Sequence, residues 1–300
     1  MNCELVSATT EDKTLLHGSF FEALPANAAS VESGASNERS QSPAVDAALV
    51  VHGLGGNFYS SRLLNTITAH LLPVGISVAM VNTRGHDAVY RTSIGGRIKN
   101  QGAAYELVSD SRYDLYAWTE FLVNRGFQRI ALVGHSLGAI KSLYAQANLP
   151  HPNVHSIVAA SATRLSYQRF QQSSDRDRFL SWIKLAEQKI ADNKPDFLMD
   201  VDYPFPTQIT ANCYVDKYGP AERYDWNQFL DRVKVPIYFI FGQVELERNT
   251  AFQDVQQQVA GWMDRRSDIQ MKIIDRADHF YAGRRTQLAE TIQQWLCANH

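Results

Sequence analysis

The sequence predicts an α/β fold, a mostly parallel central sheet flanked by helices, with one helical insertion. Three observations predict it. From Ala47 onward, short apolar runs alternate with stretches whose apolar residues recur every three or four positions. Those runs are apolar throughout, the pattern of strands buried on both faces of a parallel sheet. The alternation breaks once, over the largely polar residues 164–235.

The elements follow in order. Residues 1–24 read as two or three short strands, with Thr14-Leu15-Leu16 and Ser19-Phe20-Phe21 on either side of a break at Gly18. Residues 25–46, rich in Ala, Ser, Asn and Pro, read as a long surface loop. Ala47–Val51 is the first parallel strand, and Tyr59–Leu72 has helical spacing. Ile76–Val81 is the second strand. Ala104–Arg125 reads as one helix with Leu115, Trp118 and Leu122 on a common face. Ile130–Val133 is the third strand and Leu137–Leu149 its helix; Ile157–Ala160 is the fourth. Pro236–Phe241 is the fifth, followed by a helix carrying Phe252, Val255, Val259 and Trp262. Met271–Ile274 is the sixth, and a helix with Leu288, Ile292, Trp295 and Leu296 closes the chain. The core is therefore assigned to residues 1–163 and 236–300. Residues 164–235 leave the strand after the Ser136 strand and return before the next one. The expectation is a mostly helical cap, with both of its ends at the sheet's C-terminal edge, where open α/β sheets bind ligands.

Composition narrows the function classes. With 45% hydrophobic and 11% aromatic residues, the 300-residue chain has the means to bury a core and is not disordered by composition. A formal charge of −2 without a basic block argues against nucleic acid as a partner. No apolar run is long enough for a membrane span. Met1–Lys13 contains Glu4, Glu11 and Asp12 and lacks both the basic and the apolar region of a signal peptide. Cys3, Cys213 and Cys297 are odd in number and have no metal-ligand spacing, so a reducing, cytoplasmic setting is the default expectation.

The strongest chemical signal is Gly134-His135-Ser136-Leu137-Gly138, directly after the apolar run Ile130–Val133 and at the start of a helix. A serine that attacks a carbonyl must project from a turn too tight for neighbouring β-carbons, which explains glycines two before and two after it. The helix start also gives Ser136 backbone N–H groups for an oxyanion.

This elbow, in its strand–turn–helix context, resembles that of the α/β-hydrolase superfamily, and the resemblance extends from about Leu15 to Leu296. It implies the α/β-hydrolase fold and a serine, acid, histidine order of catalytic residues. His52-Gly53-Leu54-Gly55-Gly56 follows the first parallel strand, where the family places its oxyanion loop. By resemblance the N–H groups of Leu54 and Leu137 form the oxyanion hole. His279 matches the family's catalytic histidine, after the last strand and before the last helix. The acid lies in Phe241-Gly242-Gln243-Val244-Glu245-Leu246-Glu247, where Glu245 occupies the position usually held by aspartate and Glu247 is the alternative. Either carboxylate has the chemistry needed to hold an imidazole N–H. Asn82-Thr83-Arg84-Gly85-His86-Asp87 resembles the family's R-G-H-G stretch, with Asp87 in place of the second glycine. It implies structural roles for Arg84 and Asp87, and a place at the pocket rim for His86.

These residues point to a serine hydrolase acting on a small-molecule ester, thioester or amide through an acyl-enzyme, without metal or organic cofactor. Tyr59, Phe205 and Tyr214 are candidate substrate-binding residues, with Tyr203 and Tyr218 as further aromatics of the cap. An acyltransferase, a C–C lyase and a cofactor-free haloperoxidase share the same catalytic residues and remain alternatives. A non-catalytic binding protein on this fold would usually have lost the serine, the histidine or an elbow glycine, and none is lost here.

Overall fold

A computed structural model describes residues 3–23 and 43–298. Most of the expected loop at 25–46 lies outside the described residues. Among the described residues, eight strands form one sheet: β1 (Cys3–Thr9), β2 (Leu15–Phe21), β3 (Ala47–Val51), β4 (Ser77–Val81), β7 (Ile130–His135), β8 (Val154–Ala160), β11 (Ile237–Gly242) and β12 (Ile269–Ile274). Their order across the sheet is β1-β2-β4-β3-β7-β8-β11-β12. β1 pairs antiparallel with β2 and β2 with β4, and the six strands from β4 to β12 in that order run parallel. The remaining four strands form two small hairpins, β5 (Tyr90–Ile94) with β6 (Arg97–Gln101) and β9 (Leu198–Val201) with β10 (Thr207–Thr210).

Two helical layers cover the sheet because its central strands are apolar on both faces. Alternate residues of β3 divide between them. Ala47, Leu49 and Val51 join the layer containing Leu115, Trp118 and Leu122 of α2 (Ser111–Val123) and Ile140 and Leu143 of α3 (Leu137–Asn148). Ala48 and Val50 join the layer of α1 (Arg62–Leu71) and α9 (Arg285–Cys297). Each fully buried Leu or Val side chain in these layers contributes about 1.5–3 kcal/mol. Among the described residues no helix is long and apolar enough to cross a membrane.

Three expectations need correction. Gly18 does not break the N-terminal strand; it lies inside β2, where a β-carbon would come within 2.8 Å of the Met80 carbonyl and 3.1 Å of the Trp118 ring. The glycine marks a close approach between neighbouring backbones rather than a turn. Nor does a helix begin at Ala104. The N–H groups of Gly102, Ala103 and Ala104 donate to the carbonyls of Arg84, Asp87 and Ala88, so the chain turns there and α2 starts only at Ser111.

The third correction concerns the insertion. It contains α4 (Tyr167–Gln172), α5 (Arg176–Ala191), the β9–β10 hairpin and α6 (Ala211–Tyr218), followed by short 3₁₀ turns. It leaves from the C-terminal end of β8, but β11 runs parallel to β8, so the chain must enter β11 from the opposite edge. Its last stretch therefore descends the α3 face, where Phe229 packs edge-on against Tyr144 at 5.5 Å. The apolar residues Phe170, Phe179, Tyr214 and Trp226 are continuous with the α2–α3 core layer. The two remaining helices, α7 (Gln243–Arg248) and α8 (Val255–Met263), follow β11.

Candidate active site

Ser136 occupies the sharp turn between β7 and α3 with φ 56° and ψ −123°. A non-glycine residue held there costs on the order of 1–3 kcal/mol. The turn is fixed by a 2.9 Å hydrogen bond from the Ser136 N–H to the Ala160 carbonyl. The flanking glycines are sterically required. A β-carbon on Gly134 would sit 2.4 Å from the Gly138 carbonyl, and one on Gly138 would sit 2.4 Å from the Val51 carbonyl.

Three residues from separate turns converge here. His279 Nε2 lies 3.0 Å from Ser136 Oγ, and His279 Nδ1 lies 2.7 Å from Glu245 Oε2. A carboxylate only accepts, so Nδ1 carries the proton and Nε2 is left to accept from the serine hydroxyl. Glu245 lies on α7 with its side chain 1% exposed. Its other oxygen accepts from the Gly242 N–H at 2.8 Å and from Ser161 Oγ at 2.7 Å. Ser161 Oγ also lies 2.9 Å from the Tyr281 hydroxyl, which donates to the Ile240 carbonyl at 3.1 Å. Burial raises the Tyr281 phenol well above its usual range. Glu247, by contrast, meets the Gln243 side-chain amide at 2.9 Å and, among the described residues, no other hydrogen-bond donor. Of the two carboxylates, Glu245 is the one brought to His279.

His135, the residue before the serine, is 6% exposed and its Nε2 lies 2.7 Å from the His279 carbonyl. Burial, reinforced by the neighbouring His279 ring, pulls its pKa down to about 3. It is neutral and donates that hydrogen bond, tying the His279 loop to the elbow. His52 is also buried, and burial followed by the Lys141 charge lowers its pKa to about 3. Its Nδ1 meets the Gly53 carbonyl at 2.7 Å while its Nε2 accepts from the Thr83 N–H at 3.1 Å. The loop at 52–56 is thereby pinned to the end of β4. Among the described residues, neither the Leu54 nor the Leu137 N–H has a protein acceptor.

A cleft of about 430 Å³ opens onto Ser136 and His279, walled by Leu54, Leu63, Leu165, Phe205 and Tyr218. A larger hollow of about 640 Å³ between β1 and α2 is lined by Tyr113 and Phe121 and contains neither Ser136 nor His279. Of the aromatics singled out in the sequence, Phe205 and Tyr218 border the cleft. Tyr214 does not: it is fully buried and its hydroxyl donates to the Tyr203 carbonyl at 2.8 Å. Nor does Tyr59, whose ring is largely exposed and whose hydroxyl donates to Asp87. His86 is likewise away from the cleft, stacked on Tyr90 at 4.0 Å and 2.8 Å from Asp87. Asp87 also accepts from Asn57 at 2.8 Å, and Arg84 is held by Asp114 at 2.7 Å and Asp12 at 2.8 Å. These contacts brace the loops beneath the site. Sequence reasoning missed Ser161, Tyr281 and the cleft residues Leu165 and Lys217. Only Ser161 had a usable signal, its place at the C-terminal end of a parallel strand.

The sequence matches the alpha/beta hydrolase family over residues 48–291, and the chain belongs to that family. Comparison with curated proteins gives no significant match. Among solved structures, the chain is similar to the alpha/beta hydrolase GrgF of Penicillium sp. sh18, with 13% identity, a TM-score of 0.67, and coverage of 99% of this chain and 98% of that one. It is similar also to Est1E of Butyrivibrio proteoclasticus, solved with ferulic acid bound, at 13% identity, TM-score 0.61 and 97% coverage of both chains. A third similar structure is the esterase Pf2001 of Pyrococcus furiosus, at 16% identity and TM-score 0.58, covering 98% of this chain and 91% of that one.

Proposed function

We propose that this hydrolase is a serine esterase that cleaves a small carboxylic ester through an acyl-enzyme. The observation that carries the reading is the hydrogen-bonded chain Ser136–His279–Glu245, with contacts of 3.0 and 2.7 Å. Ser136 Oγ attacks the ester carbonyl as His279 Nε2 removes its proton. Glu245 holds the Nδ1 proton and stabilises the imidazolium that forms. The N–H groups of Leu54 and Leu137, both without an acceptor among the described residues, receive the tetrahedral oxyanion, each such donor being worth about 3 kcal/mol. Collapse expels the alcohol, protonated from Nε2. Water then repeats the sequence on the acyl-enzyme and restores Ser136. Esterases among the similar structures favour an ester over other acyl compounds.

Residues 164–235 act as a cap that shapes the substrate pocket. Support comes from Leu165, Phe205 and Tyr218, which border the cleft. The cytoplasmic setting is supported by three free cysteines. Replacing Ser136 with Ala tests the reading. Turnover of an activated aryl acetate should fall by about 10⁶, to the level of the residual site. Undiminished turnover in the folded variant contradicts it.

A further inference from the structure

Lys217, at the end of α6, is 1% exposed and belongs to the lining of the Ser136 cleft. Its Nζ is buried and makes no hydrogen bond among the described residues. A buried ammonium normally has an acceptor, because its desolvation is otherwise uncompensated. The nearby charges do not supply one in full. Lys141 and Glu106 form a buried ion pair at 2.5 Å, both side chains 0% exposed. Burial pulls the Lys217 pKa down, Glu106 draws it back up, and Lys141 opposes it. Burial likewise pushes the Glu106 carboxyl up, but Lys141 and then Lys217 outweigh it and hold the carboxyl below its usual range. Asp216, the preceding residue, is engaged by Arg223 and by the Tyr224 hydroxyl at 2.6 Å. Two buried amines therefore share one carboxylate, and that carboxylate is paired with Lys141, so Lys217 Nζ is left without an acceptor of its own among the described residues.

We propose that Lys217 anchors a carboxylate carried by the substrate, so that the cleft takes an ester whose far end is a carboxylic acid. The substrate class rests on the esterase reading of Ser136. A carboxylate supplies the missing acceptor and favours the protonated amine, and that one positive charge balances a monoanion, whereas a phosphate dianion would leave a buried negative charge uncompensated. The remaining walls, Leu54, Leu63, Leu165 and Phe205, are apolar and fit a short hydrocarbon spacer between ester and acid. This is the usual composition of a small-molecule site, with few polar groups fixing orientation.

The test uses the full-length Ser136→Ala protein, which binds without turning over. Monomethyl glutarate is compared by calorimetry with methyl glutaramate, its neutral carboxamide analogue. The acid should bind at least about 10-fold more tightly than the amide, as expected for a charge-assisted hydrogen bond. Adding Lys217→Met should erase that preference. Equal affinities, a preference that survives Lys217→Met, or no binding of the acid at about 10 mM overturns the proposal. If the Lys217→Met protein does not fold, the acid–amide contrast in the Ser136→Ala protein decides alone. The esterase reading fails by a different sign: a fluorophosphonate probe leaves Ser136 unlabelled, while the binding contrast persists.

Discussion

Replacing Glu245 with Gln isolates the role of the carboxylate while changing almost nothing in shape. In the wild-type protein one oxygen accepts from Gly242 at 2.8 Å and Ser161 at 2.7 Å, and the other from His279 at 2.7 Å. Both donors on the first oxygen need an acceptor, so the glutamine carbonyl takes that side. Its NH₂ then faces His279 Nδ1. An imidazole opposed by a donor must accept there, which moves its proton to Nε2, the atom 3.0 Å from Ser136 Oγ. A protonated Nε2 has no lone pair to receive the serine proton. The corresponding change in a triad of this type costs about 10⁴ in turnover, or about 5 kcal/mol of barrier. The assay is kcat/KM on an aryl acetate, with circular dichroism and urea unfolding to establish that the variant folds. Glu247→Gln is the control, because that side chain meets Gln243 rather than His279; its effect should stay within about 2-fold. A loss below about 10-fold in folded Glu245→Gln, or a larger loss in the control, refutes the tautomer argument.

Other variants separate structural from functional residues. Gly138→Ala places a β-carbon 2.4 Å from the Val51 carbonyl and 2.5 Å from the His52 carbonyl, and urea unfolding should show a loss of about 2–3 kcal/mol or more. A wild-type midpoint would mean that the elbow has room. Tyr214→Ala removes a fully buried ring and should cost about 3–5 kcal/mol of stability without changing acyl-chain preference. Phe205→Ala, at the cleft wall, should shift that preference by about 10-fold on an aryl-ester series; identical profiles would remove Phe205 from the pocket. Stability should also fall with acidity. His52 and His135 have folded pKa values near 3 against an ordinary 6.5, so between those limits the unfolded chain binds the extra protons. Each histidine then withdraws up to about 1.4 kcal/mol per pH unit as pH falls below 6.5. Equal urea midpoints at pH 7 and pH 5 would contradict their neutral burial.

The sequence made the local features legible and left the long-range ones hidden. The elbow could be read because strand, turn and helix are contiguous, and its glycines have a steric cause within a few residues. The contact of Glu245 with His279 could be anticipated because the family resemblance puts a carboxylate at a fixed offset after that strand. Ser161 could not be assigned to Glu245, since the two lie 84 residues apart and meet only through strand pairing. The same holds for His135 and the His279 carbonyl, separated by 144 residues. Tyr214 was misjudged because an aromatic in a polar insertion gives no sign of whether it faces cleft or core. The β5–β6 hairpin lacks an apolar run, being largely exposed, although Gly95-Gly96 between two five-residue strands is a recognisable turn signature. The path of the insertion to the opposite edge of the sheet follows from parallel pairing alone and was available in principle.

The central claim is that Ser136 is the nucleophile, and its most direct test is covalent. The wild-type protein is treated with a fluorophosphonate, and intact mass followed by peptide mapping locates the adduct. The geometry predicts one adduct per chain, on Ser136, and none in the folded Ser136→Ala protein. An adduct on any other residue, or none on a folded wild-type chain, would contradict it.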